Sequence, residues 1–424
     1  MSLARSLDRL PAPLARLRRP IGRIAAFGVL PAVSLLSNLV VLPVLSARFG
    51  EAGWSSVLLG QSIGAAASVV CALTWPMEGP HLVSRTAPGR RAGLYASSVR
   101  QRAVAVLVVG PVVVALCLVA RPAMPLVCVL SAVAIQLNAL SPAWYFVGVS
   151  RPSSSLVAEG APRLVVNIAA IALVVWLPLW TYPAALVVGM LATLVIASAL
   201  VRRPVDAEVE SETGGVPGPP RERSRVPLLA VVARGADAGY SYLTGPLVAL
   251  VMPSAYPLYA AVDRLSQSLV NVMGTVTQGL TAWISEGRSS QRRVSGAVVL
   301  TLAFAGVCLA VLSFTAPLLL RFLFAGTVDV GPLVAFLAAA VTCGAFTVRA
   351  LGTVLLVPRG KAAVAYRVLL VGAVAGLPAI GLAAVTAGSV GALVAAAAVA
   401  WLLVAIQLTA GLRGAEARPP EVSA

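Results

Sequence analysis

Charge is scarce in this sequence: Asp, Glu, Lys and Arg make up only 11% of 424 residues, against 59% hydrophobic ones. A soluble domain carries roughly a quarter of charged residues, so a soluble class is excluded and a polytopic membrane protein is indicated. The mean hydropathy of +0.93 agrees. The five cysteines, Cys71, Cys117, Cys128, Cys308 and Cys343, lie in apolar runs without Cys-x-x-Cys spacing, which excludes a disulfide framework or thiolate metal site and leaves them as packing residues. No Walker A sequence occurs: Arg359-Gly360-Lys361-Ala362 lacks both the earlier glycine and the Ser/Thr, so ATP is not the expected energy source. No A-x-A-like cleavage site closes a short apolar core near the start, so the first apolar run, reaching about Ser46, is kept as a helix rather than a removed leader. The long non-alternating runs exclude a transmembrane β-barrel.

What is present is a series of about twelve segments near the 20 apolar residues a helix needs to cross a bilayer, joined by short connections. The formal charge of +17 does not indicate nucleic acid once it is placed on these segments. With the N-terminus inside, twenty-five of the 32 basic residues fall on the cytoplasmic side. Arg48, Arg121 and Arg321 fall outside, Arg234, Arg264 and Arg349 within spans, and Arg163 at a helix start. That is a strong positive-inside bias, giving N-in and C-in termini in a cytoplasmic membrane, with the N-terminal Arg cluster on anionic lipid headgroups. Basic residues being nearly all Arg is read as codon bias and carries no mechanism. His81, the sole histidine, sits at a loop boundary and is read as an interfacial hydrogen-bonding residue rather than a proton-coupling group.

The expected fold is an all-α polytopic membrane protein of about twelve transmembrane helices in two parallel six-helix lobes. Residues 1–23 form a basic cytoplasmic tail, 24–201 the first lobe, 202–227 a linker rich in Pro, Gly, Arg and Glu, 228–411 the second lobe and 412–424 a cytoplasmic tail. The linker composition cannot bury a core. Six is an even number, so both lobes begin inside and are related by an axis along the membrane normal, with a substrate path between them. Setting Phe49 against Met252 places Gly60 and Gln61 opposite Asp263 and Arg264.

The intramembrane charges mark that path. An ionisable group in a bilayer costs roughly 2.5–3.5 kcal/mol on insertion scales, so it faces a bundle interior, a partner or a water-filled route. Arg234 and Asp237 are three apart and share a helix face, where they can neutralise one another; Asp263 and Arg264 are adjacent and diverge, so at least one addresses another helix. Arg349 lies well inside its span with no acidic residue within a turn, and needs a partner from another helix or a ligand. Arg163 and Arg367 lie near the boundary, where snorkelling accounts for them. The amides, Asn38, Gln61, Gln136, Asn138, Asn167, Gln267, Asn271 and Gln278, offer donors and acceptors to a sugar, or hold helices together.

At the inner end of the fourth helix stand Pro142, Trp144 and Gly148, and in the first hairpin Pro43, Phe49, Gly50 and Gly53. These resemble the corresponding stretches of the bacterial polysaccharide (O-antigen type) flippases, whose superfamily also holds multidrug/toxin extruders and the lipid II flippase. The lipid II branch resembles the chain less, since it usually has two further helices. The resemblance implies a transporter, not an enzyme, that moves a polyprenyl-pyrophosphate-linked oligosaccharide between leaflets by alternating access, with a polysaccharide polymerase or glycosyltransferases as partners. Arg349, Arg264, Arg234, Gln61 and Asn38 are then the expected substrate-binding residues, since Arg recognises a diphosphate bidentately. Asp263 and Asp237 are the expected ion-coupling residues; no cofactor is expected, and H+, Na+ or the membrane potential remains as driver. The competitors are a multidrug or toxin extruder, against which the excess of Arg over Asp in the spans speaks, and a membrane-embedded glycan polymerase or acyltransferase, which needs a sizeable outward loop.

Overall fold

Long apolar runs punctuated by Gly, Pro and short polar turns fold into thirteen α-helices among the residues that the computed structural model describes, 12–202, 228–285 and 291–413 apart from Ser150 and Asp329. In chain order they are α1 (Ala12–Cys71), α2 (Trp75–Arg85), α3 (Pro88–Val119), α4 (Pro125–Gln136), α5 (Ala143–Gly148), α6 (Pro152–Ser155), α7 (Ala161–Trp176), α8 (Thr181–Arg202), α9 (Leu228–Val251), α10 (Tyr256–Ser285), α11 (Gln291–Leu323), α12 (Pro332–Leu351) and α13 (Ala362–Leu412). The expected linker lies almost wholly outside the described residues, as do residues 1–11 and 414–424, whereas residues 12–23 of the expected N-terminal tail belong to α1.

Two of the helices are pairs of antiparallel arms. α1 breaks at Gly50, whose φ of 61° and ψ of −165° suit a residue without Cβ, and α13 breaks at Ala387 and Gly388. Counting each arm, and joining α4 to α5 through the 3₁₀ turn Leu137–Leu140, gives twelve passages, six before the linker and six after it. Eight stretches are long and apolar enough to cross a membrane on their own. α10 spans 30 residues but carries Asp263, Arg264, Gln267, Asn271 and Gln278, so it is too polar to stand in lipid and belongs between the halves.

Close backbone contact locks the first half together. A Cβ on Gly60 would collide with the Cys128 carbonyl oxygen, and one on Gly64 with that of Ala132, so this small-x-x-x-small pair lets α1 lie directly against α4. The residues that carry the family resemblance also turn out to be packing contacts. Trp144 fills the space over Gly79, stacks near Trp75 and Tyr95, and leaves no room for a side chain at Gly79; Gly148 sits against Pro80 and Val83. They dock α2 onto the end of the fourth passage.

The third helix begins at Pro88, so Arg90, Arg91, Arg100 and Arg102 stand on α3. Arg102 is among the largest fully buried side chains. It donates to the carbonyls of Ala139 (2.8 Å), Ser141 (2.9 Å) and Ser98 (3.2 Å), and to the Ser98 hydroxyl (2.8 Å). Its guanidinium thereby meets carbonyls that the break after α4 leaves without helical partners.

The core is distributed unevenly along the bundle. At the end bearing Gly50, one apolar cluster runs through both halves and includes Trp54, Tyr182, Val262 and Phe324. At the end bearing Trp144 each half keeps its own cluster, Val83, Tyr95 and Trp144 in the first, Val294, Leu355 and Leu403 in the second. The halves are welded at the Gly50 end and part toward the Trp144 end.

Candidate functional site in the cleft between the halves

α10 presents Asp263, Gln267 and Asn271 at four-residue spacing, with Arg264 beside them, so one side of the helix is polar for more than two turns. Three cavities share these residues. The first, about 330 Å³, lies between α1, the end of α4, α9 and α10, and is lined by Gln61, Asn138, Tyr242, Asp263, Arg264 and Asn271 among others. A smaller one, about 90 Å³, lies within the second half and includes Ser241, Tyr259, Asp263, Gln267 and Arg349. The third, about 520 Å³, follows α10 past Asn271 and Gln278 to Arg349 and Thr353.

The polar groups in the second half are linked. Gln267 Nε2 donates to the Asp263 carboxylate at 2.8 Å and to the Ser241 carbonyl at 3.1 Å, and Arg349 Nη2 donates to the Ser241 hydroxyl at 2.9 Å. This chain ties α10 to α9 and α9 to α12. Among the described residues the ion pair formed is Glu159–Arg163, and Asp263, Arg264 and Arg349 are in none. The Nε of Arg264 is buried without a hydrogen-bond partner, among Tyr182, Tyr242 and Tyr256. Two guanidiniums and one carboxylate therefore give the tract a cationic balance in a partly desolvated setting, where charge acts more strongly than in water.

Beside the polar cavity runs an apolar groove of about 200 Å³, lined by Val70, Val112, Leu116, Gly239 and Leu243 among others. Val69 lines both, so the two adjoin.

Of the expected site residues, Gln61, Asp263 and Arg264 all line the first cavity. Arg349 is separated from Arg264 into the neighbouring cavities and finds its partner in a serine rather than in an acid. Asn38, Arg234 and Asp237 lie on α1 and α9, with side chains outside the described ones, so the pairing of Arg234 with Asp237 also lies outside them. His81 is exposed on α2.

Arg163 does not snorkel. Its guanidinium pairs with Glu159 at 2.7 Å and donates to Asn138 Oδ1 at 2.9 Å, because the π turn Leu156–Gly160 ahead of α7 aims Glu159 inward, where it is buried. Sequence reasoning passed over Glu159, though its four-residue spacing from Arg163 is the signal of a helical ion pair.

The architecture is thus an all-α polytopic membrane protein of twelve passages in two halves around a central cleft. No family model matches the chain, and no curated protein matches it. Among solved structures it is similar to the lipid II flippase MurJ in an inward closed conformation, with TM-score 0.58 and 12% identity over 91% of this chain and 87% of that one. It is also similar to an inward-facing multidrug resistance MATE family transporter of the MOP superfamily, with TM-score 0.53 and 13% identity over 93% and 99%. A MOP superfamily transporter from Pyrococcus furiosus gives 0.50 and 10% over 92% and 95%. All three are transporters, not enzymes. The lipid II flippase superposes no worse than the extruder, so the expected helix count did not separate those branches.

Proposed function

We propose that the protein is a flippase that moves a polyprenyl-pyrophosphate-linked oligosaccharide across the bacterial cytoplasmic membrane for polysaccharide biosynthesis. The observation that carries this reading is the adjacency, at Val69, of a polar cavity holding Arg264 and an apolar groove open between α1, α3 and α9. An anion joined to a long apolar chain fits both at once: the diphosphate meets the Arg264 guanidinium, which forms no ion pair among the described residues, and the chain stays among valines and leucines. The alternative, a multidrug extruder, draws support from the shared fold and from Asp263 as a carboxylate for a cationic drug.

In this reading both termini and the 202–227 linker are cytoplasmic, the Trp144 end faces the cytoplasm, and the cleft receives substrate there before the halves rock about the linker. A polymerase or glycosyltransferases supply and consume the substrate, and H+, Na+ or the membrane potential drives the cycle. Proteoliposomes containing a fluorescent polyprenyl-diphosphate saccharide decide between the readings. Protein-dependent movement between leaflets that is resisted by unlabelled lipid diphosphate and not by tetraphenylphosphonium is expected. Inhibition by tetraphenylphosphonium alone would give the extruder reading the field. Labelling of a cysteine placed in the linker from outside intact cells would overturn the orientation.

A further inference from the structure

Asn138 sits on the 3₁₀ turn that interrupts the fourth passage, and it lines the central cavity on the wall opposite Arg264. Its amide oxygen accepts from Arg163 Nη2 at 2.9 Å. The same nitrogen of Arg163 is held at 2.7 Å by Glu159 Oε1, and both oxygens of Glu159 accept from the Ser141 hydroxyl, at 3.0 and 2.8 Å. A guanidinium has donors and no acceptor, so the group that Asn138 turns toward it can only be its oxygen. The amide N–H₂ is thereby directed away from Arg163, and no partner within the protein is recorded for it among the described residues.

We infer that Asn138 is a substrate-reading residue, held by the Glu159–Arg163 pair so that its N–H₂ donates into the cavity toward an oxygen-rich anionic group, which Arg264 meets from the other half. The inference rests on the proposed reading of the substrate as a lipid diphosphate and adds where it is read. Arg264 brings a guanidinium that lines the cavity from the second half, and Asn138 a fixed donor from the first. A phosphate oxygen between them is bound by both halves at once, whereas either donor alone addresses one half. Glu159 and Arg163 are positioning residues that never touch the substrate. Their fixing of the amide removes the rotameric freedom that otherwise weakens recognition by a flexible polar side chain.

The test measures binding of farnesyl diphosphate to the purified full-length protein in detergent by tryptophan fluorescence, with farnesol and tetraphenylphosphonium as comparison probes and the thermal unfolding midpoint as a control for folding. Asn138→Leu and Asn138→Asp are each expected to raise the dissociation constant for farnesyl diphosphate about tenfold or more, the scale of a lost hydrogen bond to a charged group. Farnesol binding and the midpoint are expected to stay as in the wild type. Glu159→Gln, which loosens Arg163, is expected to show the same selectivity with a smaller change of a few fold. The Leu variant is decisive, because it removes the N–H₂ donor without adding a charge that would itself repel the diphosphate. Wild-type affinity in Asn138→Leu overturns the inference while leaving the flippase reading in place. A wild-type protein that binds tetraphenylphosphonium and ignores farnesyl diphosphate overturns both.

Discussion

Trp54 stacks on Phe324 with ring centroids 4.5 Å apart, and its indole N–H donates to the Thr327 hydroxyl at 3.2 Å. The Ser46 hydroxyl donates to the Phe324 carbonyl and lies 3.0 Å from the Thr327 hydroxyl. One partner in each contact comes from the first half and the other from the second, so this cluster is the latch of the welded end. An aromatic pair contributes about 0.5–1.5 kcal/mol beyond its burial and a hydrogen bond about 1 kcal/mol, so Trp54→Leu is expected to shift the balance of the halves by about tenfold or more toward opening at this end. Joining Ser46→Cys to Thr327→Cys by oxidation, on a background without the native cysteines, is expected to stop transport until a reductant is added. Undiminished transport by the cross-linked protein would remove the latch from the mechanism.

Arg349 is exposed to the cleft, and its Nη2 donates a charge-assisted hydrogen bond to the Ser241 hydroxyl of α9. Arg349→Ala is expected nearly to abolish transport and Arg349→Lys to impair it, since an ammonium keeps the charge and loses the planar fork. Ser241→Ala is expected to cost less than Arg349→Ala, because it removes one bond and leaves the guanidinium in the cleft. Complementation with the protein level measured checks all three, and full glycan export by Arg349→Ala would leave this residue without a role in substrate handling.

Asp263 borders both the cavity between the halves and the smaller one within the second half. Gln267 is its hydrogen-bond donor and it forms no ion pair among the described residues, and under the proposed function it is the expected ion-coupling carboxylate. Asp263→Asn is expected to remove the dependence of transport on pH or sodium while leaving the protein folded. A pH and sodium profile identical to the wild type would end the coupling assignment.

Gly64 lies under the Ala132 carbonyl with no room for a side chain. Gly64→Val is expected to force α1 away from α4 at a cost of about 1–3 kcal/mol, the usual scale of overpacking. A lower midpoint in fluorescence-detected thermal unfolding, with aggregation on size-exclusion chromatography, is the expected reading.

Fold class was legible because it depends on length and hydropathy, which composition reports directly; the positions of Asp263, Arg264 and Gln61 were legible because charge in an apolar run has few places to go. The network around Glu159 was not. It depends on the π turn at Leu156–Gly160 and the 3₁₀ turn at Leu137–Leu140, local departures from α-helical pitch that rotate side chains to new faces and leave no mark in hydrophobic periodicity. The burial of Arg102 is hidden for a related reason: Pro88 to Arg102 is polar in sequence, yet Pro88 starts a helix and the acceptors at Ala139 and Ser141 take the guanidinium inside.

The burial of Arg102 against Ala139 and Ser141 also imposes an order on biosynthesis. Ser98 of the same helix meets part of the guanidinium as soon as α3 forms, while the Ala139 and Ser141 carbonyls come later in the chain, so its full satisfaction requires the fourth passage to be in place beside α3.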